Sequence, residues 1–284
     1  MLYLVLSIIC SVSVGVIFKI SRRYELNNIQ IVCYNYFFAL LFCAITFTPD
    51  LKALDASTPF VLFGSLGILL PLVFLFLIAS ISNIGIAKTD AAQRLSLFIP
   101  ILAAWLLFNE QFTTLKIIGI FIGFLALFGI LYKSKQSINS NWLYPLIVFL
   151  GYGLIDILFK KIALYTVVPY TTSLSIIFSI AFVVLIIPVG YEVLANKKKL
   201  TLSNFLFGFL VGLFNFGNIL FYLKAHQSFA ENPSTVFAGM NMGVIILGSI
   251  LGIVLFKEKM SKINYIGLVL ALVSIIIIVQ SQLN

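Results

Sequence analysis

Ten apolar runs follow one another along this chain, and a bilayer span needs about 20 apolar residues. They lie near 2–20, 31–48, 60–82, 86–108, 115–132, 143–165, 170–189, 204–224, 233–256 and 263–281. Ten spans use most of the 284 residues and leave no room for a separate soluble domain. With 62% apolar and only 10% charged residues, a soluble fold could not cover its own surface. Each run must be a helix, because an isolated strand leaves backbone groups unpaired in lipid. The expected class is therefore an all-α integral membrane protein with ten transmembrane helices. Turn chemistry marks the breaks at Thr48-Pro49-Asp50, Ser140-Asn141, Ala195-Asn196 and Glu231-Asn232-Pro233. Pro233 suits the first turn of the ninth helix, where a missing N–H costs nothing.

Several classes fall away on the same reading. Leu2 to Phe18 has no basic residue before it, and Lys19, Arg22 and Arg23 come after it. A cleaved secretory signal has the reverse order, so the segment is expected to be a retained first helix. Cys10, Cys33 and Cys43 each sit in an apolar run, with no disulfide frame or metal spacing. The net charge of +9 is scattered between spans, with no block longer than Lys197-Lys198-Lys199. It fits membrane orientation, and no nucleic-acid partner is expected. The single His226 has no acid cluster or Cys to complete a metal site, and it is expected at the membrane interface. No hydrolase elbow, HExxH or phosphate-cradling loop occurs. Neither an enzyme nor a bound cofactor is expected.

The chain also repeats itself. Phe108-Asn109-Glu110-Gln111-Phe112-Thr113 matches Phe256-Lys257-Glu258-Lys259-Met260-Ser261, and Ile118-Gly119 matches Ile266-Gly267, all at one offset. Phe18-Lys19 sets more weakly against Phe159-Lys160. The chain thus reads as two five-helix repeats, 1–135 and 136–284, joined by the polar stretch from Lys133 to Asn141. Five is odd, so the second repeat must enter the membrane inverted. Loop charges agree: thirteen of the 18 basic residues fall in or beside odd-numbered loops and five in even ones. That places odd loops in the cytoplasm and both termini outside. Small-xxx-small pairs at Gly119/Gly123, Gly208/Gly212, Gly239/Gly243 and Gly248/Gly252 suit close helix packing.

Ten helices in a five-plus-five inverted repeat, with a Glu closing the fourth and ninth, resemble the drug/metabolite transporter superfamily and most closely its EamA-type branch. The stretch from Pro100 to Gly123 is similar to that branch's signature across helices four and five. The resemblance implies a secondary transporter with a central cavity between helices one to four and six to nine, and with five and ten peripheral. It implies an amino acid, another metabolite or a drug as cargo, often moved outward, in a bacterial inner (plasma) membrane. The small multidrug branch carries a Glu in its first helix. Leu2 to Phe18 here contains no acid.

Charged residues inside spans are the site candidates, since each costs roughly 2.5–3.5 kcal/mol on insertion scales unless paired or facing water. Asp156 lies deep in the sixth span, with Lys160 one turn later on the same face. Two readings stand: a structural ion pair, or a carboxylate that carries a coupling proton. Arg94 lies in the fourth span with Asp90 one turn earlier. It either grips an anionic group of a substrate in a two-pronged bond or is satisfied by Asp90. Asn35, Asn215, Asn218 and Asn241 line the cavity or bond between helices. Tyr34, Trp105, Tyr152 and Tyr222 are candidates for stacking on substrate. Lys19 and Lys160 are placed at the two cavity mouths, or snorkel to the surface. Glu110 and Glu258 are expected at the interface in a structural part.

The reading is an alternating-access carrier for a small polar or amphipathic metabolite of the amino acid or organic acid class, with an exporter's direction. Arg94, Asp90, Asn35, Asn215 and Asn241 would bind substrate, and Asp156 and Lys160 would couple it to protons. The alternative is a multidrug cation–proton antiporter. A channel lacks a repeated polar lining here, while Pro71, Pro100 and Pro188 in or near spans suit a rocking carrier. Monomer and homodimer are both open.

Overall fold

The computed structural model describes every residue except 22–23, 25, 51, 53, 55–57, 85, 132–142, 258–260 and 282–284. The linker from Lys133 to Asn141, together with Arg22, Arg23 and Glu258, lies outside the described residues. The described residues form eleven helices and no strand: α1 Leu2–Ser21, α2 Asn28–Thr46, α3 Phe60–Ile84, α4 Ile86–Leu95, α5 Phe98–Leu106, α6 Thr114–Leu131, α7 Leu143–Leu164, α8 Tyr170–Leu194, α9 Leu202–Ser228, α10 Pro233–Phe256 and α11 Lys262–Gln280. Seven of them are long and apolar enough to cross a membrane, and two shorter apolar helices accompany them. The chain is a multi-pass membrane protein.

The count of eleven corrects one expectation. The fourth span, expected as a single helix over 86–108, is broken between α4 and α5 at Ser96 and Leu97. Pro100 accounts for the break. A proline inside a helix lacks an N–H, and its ring clashes with the carbonyl four residues back, here that of Ser96. The chain tightens instead: Leu97 N–H donates to the Arg94 carbonyl at 3.3 Å, and Ile99 N–H to that of Ser96 at 3.0 Å. Arg94 therefore sits at the end of a half-helix in mid-span.

Other ends follow ordinary capping. Asn27 accepts from Ile29 and Gln30 N–H at the start of α2, Thr201 accepts from Asn204 N–H at the start of α9, and Ser261 forms a capping box with Asn264 on α11. Such caps satisfy orphan donors that lipid cannot. Pro233 opens α10 as expected. Asn109 and Lys257, equivalent in the sequence repeat, both take left-handed backbone, with φ of 51° and 52°. The two equivalent positions thus share one backbone conformation.

The helices cross alternately. α1 begins, and α11 ends, on what is termed here the terminal face. The α1–α2 connector and the exposed Lys197, Lys198 and Lys199 mark the opposite, basic face. α1 packs on α9 and α10, α2 on α8 and α9, α3 on α7 and α8, and α4 and α5 on α7. α6 and α11 pack on each other at the periphery. Small residues set these approaches. A Cβ on Gly212 would lie 2.7 Å from Phe38 Cβ and 2.8 Å from the Asn35 carbonyl oxygen, so α9 meets α2 backbone to backbone. Gly119 and Gly123 admit α11: a Cβ on Gly119 would lie 2.7 Å from Ile278 Cγ1 and one on Gly123 2.8 Å from Ser274 Oγ, which donates to the Gly119 carbonyl at 2.7 Å.

A side chain at Gly212 must push α2 away. Gly212→Leu is expected to cost roughly 1–3 kcal/mol, the usual range for overpacking. Gly64, with open space around its Cβ position, should accept alanine with no loss. Thermal unfolding of the purified protein in detergent checks both; equal melting temperatures for Gly212→Leu and Gly64→Ala would contradict the packing account.

Candidate functional site

A cavity of about 690 Å³ opens between α1, α2, α3, α4, α7, α9 and α10. This matches the expected enclosure by spans one to four and six to nine, apart from the seventh, and α6 and α11 contribute nothing to its lining. Its volume lies within the roughly 300–1,000 Å³ usual for small-ligand sites. The lining runs from Ser21, Asn28 and Phe256 near the basic face to Asp156, Tyr222 and Met240 at mid-depth. The terminal-face ends of α1, α7, α9 and α10 take no part in it.

Three charged side chains line this space among the described residues: Lys19, Arg94 and Asp156. Asp156 lies about 20 Å along α7, at 1.5 Å per residue. Its Oδ1 accepts the Tyr222 hydroxyl at 2.7 Å, and Oδ2 has no hydrogen-bond partner among the described residues. Tyr152, one turn earlier on α7, lies within electrostatic reach of both Arg94 and Asp156. Arg94 reaches the cavity from the end of α4, the position that Pro100 creates. Lys19 extends over the Phe256 ring at 3.9 Å near the basic face. The cavity thus carries two cations and a carboxylate, with the Tyr152 phenol in reach of Arg94 and Asp156, and Asn215, Asn218 and Asn241 on its wall.

The other expected residues fall in different places. Asp156 and Lys160 do not pair. Lys160 is fully buried and points away from the cavity, its Nζ donating to the Ala230 carbonyl at 2.6 Å and reaching those of His226 and Phe229 at 3.5 Å. The notion that it rings a cavity mouth or snorkels is corrected by this burial. Asn35 is buried between α2 and α9, and neither side-chain atom has a hydrogen-bond partner among the described residues. It does not line the cavity, although its neighbour Tyr36 does. Asn241 donates to the Phe237 carbonyl of its own helix at 3.0 Å, and Asn218 accepts Ser7 Oγ at 2.8 Å. The Asp90 side chain lies outside the described residues. Tyr34 packs edge-on against Phe205, and Trp105 is 60% exposed on the outer surface.

His226 is a correction. It is not at the interface but fully buried, because α9 continues to Ser228 rather than ending near 224. Its ring packs against Tyr222 and Phe237, with centroids at 4.6 and 4.8 Å. Glu110 is a second correction, being 3% exposed. It accepts Lys116 Nζ at 2.7 Å, Ser234 Oγ at 2.6 Å and Ser234 N–H at 2.9 Å. Lys116 also donates to Asn232 Oδ1 at 2.8 Å. A carboxylate at the first turn of α10 satisfies orphan N–H groups and complements the helix dipole. The sequence reading gave Glu110 a structural part without finding these partners. The one available signal was Lys116 six residues on, across a turn.

On the basic face, Glu192 accepts from Asn27 and Lys198, both at 2.5 Å. Asn204 accepts Asn27 N–H at 3.1 Å and donates to Gln30 at 2.7 Å. These bonds tie the start of α2 to the end of α8 and the start of α9, outside the cavity.

The profile of the EamA-like transporter family matches residues 1–132 of the chain. An uncharacterised protein from Haemophilus influenzae is 43% identical over 282 residues, covering 96% of this chain and 95% of that one. A protein of known crystal structure superposes with a TM-score of 0.74 over 97% of this chain and 94% of that chain, at 12% identity. That likeness concerns the fold.

The Glu110 cluster yields a stability prediction. Removing one partner of a buried ion pair leaves an uncompensated charge, at a cost of about 3–5 kcal/mol. Glu110→Ala is expected to lower the melting temperature sharply, and adding Lys116→Met should recover much of the loss. Additive losses in the double variant would contradict a coupled pair.

Proposed function

Because the chain belongs to the EamA-like transporter family, within the drug/metabolite transporter superfamily, we propose that it is a secondary carrier for a small zwitterionic metabolite of the amino acid type. Members of this family are membrane transporters of small molecules rather than enzymes. The observation that carries the reading is the pairing of Arg94 and Asp156 on one cavity wall system, each within electrostatic reach of Tyr152. Arg94 stays charged and suits a carboxylate in a two-pronged bond. Asp156 suits an ammonium group through Oδ2, while Tyr222 holds Oδ1. A simple organic acid would use only the first of these, and a quaternary cation only the second.

The carrier works by alternating access between two inverted repeats. Reciprocal packing supports this: α1 lies on α9 and α10 as α7 lies on α3 and on α4 and α5, while α2 with α8 and α6 with α11 are self-reciprocal. The matching left-handed backbone at Asn109 and Lys257 adds to it. The basic face is cytoplasmic by the charge rule, so the cavity reaches the cytoplasmic side, as loading for export requires. The membrane is the bacterial inner membrane. Asp156 also serves coupling: its carboxylate takes a proton from cavity water after the ammonium group leaves, so that it returns uncharged. The second reading, a multidrug cation–proton antiporter, draws on the rings of Tyr152, Phe159 and Tyr222 around the same acid.

Flux into proteoliposomes under an imposed pH gradient tests the assignment. Saturable flux of zwitterionic amino acids is expected, reduced by about a hundredfold in Arg94→Gln and in Asp156→Asn, in keeping with about 3 kcal/mol for a charge-assisted contact. Cation flux indifferent to Arg94→Gln would transfer the reading to the antiporter. Linear, non-saturating flux would favour a channel.

A further inference from the structure

On the terminal face a short segment, Phe229 to Asn232, joins α9 to α10, whose first turn begins with Pro233 and Ser234. Two separate buried cations hold it. Lys160 of α7 grips its carbonyls, at 2.6 Å from Ala230 and 3.5 Å from Phe229. Lys116 at the start of α6 holds Asn232 at 2.8 Å, and its partner Glu110 holds Ser234 through two bonds. Neither lysine lines the cavity. Burying an ammonium against backbone carbonyls is costly unless the geometry is kept, so these are fixed points in this state and not incidental contacts.

From this arrangement we infer that the 229–232 connector, with the first turn of α10, is the terminal-face gate, locked by Lys160 and by the Glu110–Lys116 pair. The inference rests on the carrier reading but not on its substrate. The two helices that bear the cavity's acid site also bear the lock. On α7, Lys160 follows Asp156 by one turn. On α9, His226 follows Tyr222 by one turn, and its carbonyl is among those facing Lys160 at 3.5 Å. The Tyr222 hydroxyl bonds Asp156, and its ring packs on that of His226. A ligand or proton at Asp156 that shifts α7 against α9 therefore moves Lys160 relative to the carbonyls it grips. Releasing them would open a path from the cavity past Met240 to the terminal face, while the basic-face mouth closes.

Thiol accessibility tests the lock without any substrate. The native cysteines are replaced, Met240→Cys is introduced in the cavity wall, and a membrane-impermeant maleimide is applied from one face at a time to sealed vesicles of known orientation. With the lock intact, labelling is expected from the basic face. Lys160→Met should raise the labelling rate from the terminal face by about tenfold or more, the population shift expected when one charge-assisted hydrogen bond is lost. Lys160→Arg, which keeps the cation, should restore much of the original pattern. Unchanged terminal-face labelling in folded Lys160→Met and in Lys116→Met would overturn the proposal. If Lys160→Met does not fold, Asn232→Ala replaces it, which removes the Lys116 acceptor in the connector and keeps both lysines: terminal-face labelling of Met240→Cys should rise. Unchanged labelling in that variant would also overturn it. A lock that behaves as described in a protein without amino acid flux would count against the substrate assignment alone.

Discussion

The cost of leaving a charge unpaired in an apolar medium governs this molecule. Only 10% of its residues are charged, and those within the bundle are held in a few specific ways. Glu110 and Lys116 neutralise one another and finish the hydrogen bonding of the α10 start. Lys160 uses backbone carbonyls that the chain leaves bare where α9 ends. Asp156 keeps one oxygen on Tyr222 and gives the other to the cavity. The first two solutions fasten helices together. The third leaves a polar group available, which a purely structural role would not require.

Close packing explains why there is a cavity at all. Gly212 lets α9 approach α2, Gly119 and Gly123 let α6 approach α11, and Gly239 and Gly243 admit Leu4 and Ile8 of α1. Gly248, in the last of the four small-residue pairs, meets nothing within 4 Å and lines the cavity instead. Along α10, small residues thus serve contact near the terminal face and space near the basic face. The same helix is tight at one end and open at the other.

The spans were legible because lipid permits only helices, so apolar length alone placed nearly every element. Pro233 was legible because proline acts locally. The break at Ser96 and Leu97 was not read, although Pro100 was in plain view: the apolar run continues through it, and hydropathy does not register a lost hydrogen bond. Asp156 and Arg94 stood out as charges at depth, and both line the cavity. Lys160 did not follow its neighbour. Spacing put it on Asp156's face, but a lysine stem is long enough to find carbonyls on another helix. The Glu110 cluster was out of reach, since Glu110 and Ser234 lie 124 positions apart. Helical periodicity carries no information about such partners. His226 was misplaced because the end of α9 was set one turn early, and a single turn separates interface from interior.

The position of Arg94 ties these points together. An unbroken fourth helix would carry its backbone past the cavity with every carbonyl and N–H engaged. Pro100 ends α4 in mid-span, so Arg94 occupies the last turn of a half-helix, where unsatisfied carbonyls favour a cation. Arg94 lines the cavity from this half-helix end, and Asp156, whose Oδ1 accepts the Tyr222 hydroxyl, lines it from α7. Irregular backbone at membrane depth is tolerated where it lines a cavity or is buried in protein. Here the proline that removes a hydrogen bond from the span also sets the half-helix end from which Arg94 reaches the cavity.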